Sequence, residues 1–330
     1  MPITSQLFGH TRRGAPVTAY RMHHPNGACA VVLDYGGTVQ SLCVPDRSGR
    51  LVDVVLGYDT VEEYEAGDGY VGATIGRFAN RIGGGAFFLN GQAFQLAQND
   101  GENHLHGGQY GFDKQLWQGQ VRGDTLVLSR TSPHGEEGYP GTLELQVSFT
   151  WTQDCGLRIA YEAETDQDTP LNLTNHSYFN LAGTGTVSGH TLQISAERCT
   201  ETRPDGLPTG RLLEVEGTPF DFRQEKPIGE TFAYDHNFVL CGRSAARLYC
   251  PETGIVLTVE TDQPGMQVYT SNMLSQQMGK GGVPFGVRSA VCLETQLFPD
   301  GMHHYGFPNP FLRAGQTLHT ATCYRFSQTP

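Results

Sequence analysis

The chain has 330 residues, 38% hydrophobic and 17% charged, with 42 Gly, 18 Pro and a net charge of −12. Such a composition excludes a disordered chain and suits a turn-rich globular protein with a large core. The acidic balance disfavours nucleic acid, anionic membrane surfaces and phosphorylated ligands, because no dense basic run offsets it.

Met1 to Gln6 hold no charged stretch leading into an apolar one, and no run approaches the roughly 20 apolar residues of a membrane helix. The expectation is a cytoplasmic protein. The eight cysteines form no CxxC pair, and several sit inside apolar segments. They read as reduced, buried, strand-borne thiols.

In chain order, the stretch around Val61–Tyr64 suits one short helix. Gly76-Arg77-Phe78-Ala79-Asn80-Arg81 then brings together two guanidinium forks and an amide, donors suited to sugar oxygens or, equally, to a solvated strand end. Phe87–Leu89 and Ala93–Leu96 flank Asn90-Gly91, the favoured two-residue hairpin turn. His104 and His106, two apart, would share a face on a strand, with a Gly pair following. A metal site there lacks a third ligand at a convincing spacing.

Leu143, Leu145, Val147, Phe149 and Trp151 alternate with polar residues. Asp154-Cys155-Gly156 turns the chain, and Leu157, Ile159 and Tyr161 resume the alternation, giving a second hairpin. In Leu171–Leu181, a strand would put Asn172, Thr174, His176, Tyr178 and Asn180 on one polar face over an apolar backing, either a polyol-binding wall or a surface face. Tyr234-Asp235-His236-Asn237-Phe238 offers a carboxylate beside amide and aromatic groups, or simply a turn. Ile255–Glu260 reads as a strand after the Thr253-Gly254 turn. Glu294 follows the apolar run Ala290–Leu293, as a surface charge or as a base whose pKa desolvation would raise. His23-His24 and His303-His304 read as solvent-exposed pairs. Two glycine runs, at 83–85 and 279–282, lack phosphate-loop spacing. Period two dominates and no linker divides the chain, so residues 1–330 are expected to form a single all-β domain, a large antiparallel sandwich with long functional loops.

Taken in order, the motifs resemble the aldose 1-epimerase (galactose mutarotase) family. They are GRFANRI at 76–82, NHLHGG at 103–108, GFDKQLW at 111–117, EEGYPG at 136–141 and NLTNHSYFNL at 172–181. GTPFDFR at 217–223, YDHNFVL at 234–240, QPGMQVYTSN at 263–272 and ETQLFPDG at 294–301 complete them. NLTNHSYFNL and ETQ-x-FPD are the specific signals. The resemblance implies a galactose mutarotase-like supersandwich that converts α and β anomers of free aldohexoses by ring opening and reclosure, with no cofactor and no metal. It implies Glu294 as general base, His176 as general acid and His106 as a second active-site histidine. Asn80, Arg81, Asp235, Gln267 and Tyr178 match substrate contacts. The expected partner is a small sugar, bound by a monomer or homodimer. His303, before His304, and His134 depart from the family pattern, which has Asn and Asp there, at loops expected near the cleft. Alternatives are a hexose-6-phosphate 1-epimerase using Arg77 and Arg81, a hydrolase or lyase using Asp235 and Glu294, and a non-catalytic carbohydrate-binding protein.

Overall fold

The computed structural model describes residues 1–329. Three antiparallel sheets dominate. The strands Ile3–His10, Pro16–His23, Cys29–Leu33, Thr38–Pro45 and Leu51–Asp53 form a five-stranded meander in chain order. A nine-stranded sheet begins with Gln118–Arg122, Thr125–Ser132, Leu143–Trp151 and Gly156–Thr165. It continues through Thr317–Gln328, Ile255–Thr261, Ser244–Tyr249, Thr191–Ile194 and Lys226–Pro227. A six-stranded sheet runs Tyr178–Phe179, Val291–Gln296, Gly265–Tyr269, Asp235–Leu240, Ala196–Thr202, Pro208–Glu214.

The period-two segments account for the layering. Leu143, Leu145, Val147, Phe149 and Trp151 are all buried, while their neighbours in the strand are exposed or half-buried. Their strand pairs with the next one from Leu143 opposite Thr165 to Trp151 opposite Leu157, the hairpin read from the sequence. One buried apolar cluster contains Val32 and Leu42 of the five-stranded sheet, Val147 and Leu257 of the nine-stranded sheet, and Val268 and Leu293 of the six-stranded sheet. The Trp151 Nε1–H donates to Met22 O across one interface (3.2 Å), and the Tyr324 hydroxyl donates to Leu293 O across the other (3.1 Å). Both smaller sheets therefore pack on the nine-stranded one.

The Asn90-Gly91 hairpin forms as expected. Both residues take positive φ, and Ala86–Leu89 pairs with Gln92–Gln95. The short helix spans Val61–Ala66. The Thr60 side chain caps Glu63 N while the Glu63 carboxylate accepts from Thr60 N, and Val61 is buried. This helix leads directly into the loop at Asp68–Tyr70 that walls the site.

Three sequence expectations require correction. Leu171–Leu181 is not one strand: only the two-residue bridges Thr174–Asn175 and Tyr178–Phe179 are regular. Its amides serve backbone groups instead, Asn172 donating to Ala79 O and Asn180 to Ser289 O, so the alternation arises from loop bracing. His24 is buried, not exposed, and its ring contacts Asn26 Oδ1 at 2.7 Å. Of the cysteines, Cys241 is exposed and Cys43 and Cys323 are half-buried; all eight are unpaired thiols.

Candidate active site

The face of the six-stranded sheet turned away from the nine-stranded one builds the site by alternation. Met266, Val268, Val291 and Leu293 enter the core, so Gln267, Tyr269, Cys292 and Glu294 point the other way. Register sets Gln267 opposite Glu294, and Asp235 opposite Tyr269. Facing them are segments on the far wall. Arg81 pairs with Leu105 there in a short ladder, while Tyr178, on the edge strand of the six-stranded sheet itself, pairs with Cys292.

Together they enclose a cavity of about 230 Å³. All eight residues singled out from the sequence line it: Asn80, Arg81, His106, His176, Tyr178, Asp235, Gln267 and Glu294. Two more open grooves, of about 560 and 780 Å³, flank it and share part of its rim. The smaller cavity is the candidate active site, because it alone of the three combines His176 with Glu294.

His176 Nε2 lies 3.5 Å from Glu294 Oε1, with side chains 5% and 2% exposed. Burial, reinforced by the Asp235 charge and opposed by Arg81, pushes the Glu294 carboxyl well above its ordinary range. Burial pushes His176 down to about 4. Both shifts disfavour charge, so the pair is most stable with one proton and no net charge. Glu294 Oε2 and Gln267 Oε1 are buried with no hydrogen-bond partner in the protein, acceptors available to a ligand.

His106 stands beside them, its ring 5.2 Å from that of His176 and 4.7 Å from that of Tyr70. Its backbone takes positive φ, so it does not share a strand face with His104. His104 instead turns inward, with Nδ1 2.7 Å from Ala97 O and Nε2 2.7 Å from the Tyr139 hydroxyl, a buried structural role. His106 Nδ1 accepts the Asn80 N–H at 3.1 Å. The ring is neutral, since burial and then the neighbouring His176 hold its pKa well below 6.5. Its proton must therefore sit on Nε2, making that atom a donor into the cavity.

That tautomer bears on metal binding. Ligand-type atoms of His106, His176 and Glu294 lie within 4.8 Å of one another, the one such cluster among the described residues. A metal on His106 Nε2 would need its lone pair and would move the proton to Nδ1, against the Asn80 N–H. The donor set suits a sugar oxygen and does not fit a metal ion.

Arg81 donates from Nε to Asp100 Oδ2 at 2.7 Å and lies 3.9 Å from Asp235 Oδ2 through Nη1. Gln267 Nε2 donates to Asp235 Oδ1 at 2.6 Å. The polar rim is thereby held before any ligand arrives. Arg77 does not join it. Its guanidinium is buried and donates to Pro140 O, Gly141 O and Ser132 O, so its role is structural. His134 is likewise remote from the cavity, with Nδ1 accepting from Gly141 N, whereas His303 and His304 line the adjoining 780 Å³ groove.

Sequence reasoning missed Asp68, Tyr70, Tyr269, Met273 and Leu274, which complete the wall. Tyr269 was within reach, two residues from Gln267 on a strand. Tyr70 carries no local signal.

A buried histidine–carboxylate pair in a polar cleft on a large β-sandwich suits an isomerase acting on carbohydrates. The comparisons agree: the family described as aldose 1-epimerase matches residues 18–325. Galactose mutarotase from Homo sapiens is 43% identical over 339 residues, covering 98% of each chain. Aldose 1-epimerase from Escherichia coli (strain K12) is 34% identical over 332 residues, covering 95% of this chain and 96% of that one. A solved GalM/aldose epimerase homologue from C. elegans superimposes with a TM-score of 0.90 at 30% identity, covering 94% of this chain and 98% of that one. The chain belongs to the aldose 1-epimerase family. Among the described residues no helix is long and apolar enough to cross a membrane.

Proposed function

We propose that the chain, acting as one catalytic unit over residues 1–330, interconverts the α and β anomers of free aldohexoses such as galactose and glucose. The observation that carries this reading is the buried His176–Glu294 pair facing one cavity. Mutarotation moves one proton from the anomeric hydroxyl to the ring oxygen, then moves it back after rotation. A pair holding one proton between two sites suits that exchange.

Glu294 takes the proton of the C1 hydroxyl as His176 protonates the ring oxygen. The C1–ring oxygen bond breaks and C1 becomes the aldehyde carbon. Rotation about C1–C2 exposes the other carbonyl face, and the ring closes with both transfers reversed. The reactive form carries the proton on His176, a minority state in the empty site given the two shifts. A hydroxyl donating to Glu294 favours that form. The His106 Nε2–H stabilises charge at the ring oxygen, and Asn80, Arg81, Asp235, Gln267 and Tyr178 hold the remaining hydroxyls.

A phosphorylated hexose fits less well. Arg77 is withdrawn into the core, and Arg81, among the described residues the only Lys or Arg on the cavity wall, is already engaged by Asp100. All these groups come from one chain, so a monomer or each half of a homodimer holds a whole site. The unpaired thiols are in keeping with a reducing, cytoplasmic setting. The test is polarimetry of freshly dissolved α-D-galactose and α-D-glucose. The chain accelerates the approach to anomeric equilibrium; no acceleration with any free aldose removes the reading, and binding without turnover favours a carbohydrate-binding protein.

A further inference from the structure

Cys292 has no part in the proton transfers, yet among the described residues it is the only side chain within hydrogen-bonding reach of His176 Nδ1. Its Sγ lies 3.6 Å from that nitrogen, and the residue is fully buried. Position, not chance proximity, puts it there. On Val291–Gln296 it precedes Glu294 by two, so both side chains leave the same face of the strand. It also stands directly opposite Tyr178 on one side and Tyr269 on the other. The two tyrosine rings pack around His176, with centroids 4.9 and 6.4 Å from its own, and the thiol sits beside Nδ1.

We propose that Cys292 is a positioning residue that fixes the His176 tautomer, holding the proton of the neutral ring on Nδ1. This rests on the acid role given to His176 above. The groups facing the ring are Glu294 at Nε2, His106, Tyr70, Tyr178 and Tyr269 around its plane, and Cys292 at Nδ1. Burial and the nearby Glu294 keep the thiol protonated. Its neutral sulfur accepts the Nδ1–H, which leaves the Nε2 lone pair facing Glu294 and the sugar, free to take and return the exchanged proton. When Nε2 gains the second proton, the Nδ1–H stays on sulfur, a weak acceptor. A thiol thus orients the imidazole in both states without stabilising its cation as a carboxylate would. No bond is made or broken at sulfur.

The test pairs Cys292→Ala with Cys292→Ser in the full chain. Ring nitrogen NMR shifts of His176 report the tautomer, and mutarotation kinetics report its consequence. Cys292→Ala gives mixed tautomers and lowers kcat about five- to tenfold, as loss of one hydrogen bond should, with KM little changed. Cys292→Ser restores both readouts, since its hydroxyl oxygen also accepts. An unaltered tautomer in Cys292→Ala, or a Ser variant no better than the Ala variant, overturns the proposal. Mixed tautomers with a wild-type kcat support the contact and instead overturn the acid role of His176. Should Cys292→Ala not fold, Cys292→Val, which keeps the volume, takes its place.

Discussion

His176 Nε2 stands 3.5 Å from Glu294 Oε1, beyond a good hydrogen bond yet too close to admit another group between them. Catalytic hydrogen bonds in a site without substrate are commonly long and tighten around it. Glu294→Gln keeps the shape and removes the base. Its kcat should fall by about 10²- to 10⁴-fold, the usual range for general acid–base groups. KM should change far less, because the amide still accepts from a hydroxyl. His176→Ala should lower kcat to a similar degree. Polarimetry measures both, with circular dichroism to show the variants folded; a rate near wild type in either would refute its assigned role.

The shifts on the same pair set the pH dependence. At high pH both groups are deprotonated and no proton is available for the ring oxygen. As pH falls through the upper pKa, raised by burial of Glu294, the pair gains its single proton and activity appears. Once pH falls through the lower value, for which His176 gives about 4, a second proton blocks the base. Thus kcat/KM should peak between these limits. The acid limb should lie near 4 and the alkaline limb above the ordinary carboxylate range. A profile flat across that whole span would contradict the assignment.

How much of this was legible in the sequence varied with the range of the forces involved. The Asn90-Gly91 hairpin and the 143–161 hairpin follow from turn chemistry and period two, which are local, and both form. Gln267 and Glu294 sit on strands whose alternation hints at their direction. Leu171–Leu181 misled because Asn172 and Asn180 mimic a polar strand face while bonding to carbonyls over 90 residues away in sequence. Arg77 misled for a similar reason. Its partners, Ser132, Pro140 and Gly141, lie 55 to 64 residues off. Tyr70 reaches the site through a loop whose path depends on the whole fold.

The two arginines of GRFANR should separate cleanly in experiment. Arg77→Ala leaves several buried carbonyl oxygens without their donor, which should cost about 3 kcal/mol or more of stability. Its folded fraction should keep kcat and KM. Arg81→Ala should raise KM and lower Tm much less, since its ion pair with Asp100 is partly solvent-exposed at the carboxylate. Thermal melts beside steady-state kinetics would show the split. An Arg77→Ala protein that melts normally but binds sugar poorly would return Arg77 to the site.

The His106 tautomer yields a last test, concerning metal. With the Asn80 N–H donated to Nδ1, His106 presents Nε2–H to the cavity, a donor for an oxygen and not a lone pair for a cation. Dialysis against a chelator should therefore leave the mutarotation rate unchanged, and equimolar zinc should not raise it. Zinc at higher concentration should inhibit if it reaches His176 and Glu294, by occupying the atoms that exchange the proton. His106→Gln, whose amide can still donate, should retain more activity than His106→Leu, which cannot. A rate lost on chelation and regained with metal would mean that Lewis-acid polarisation, not proton exchange between His176 and Glu294, opens the ring.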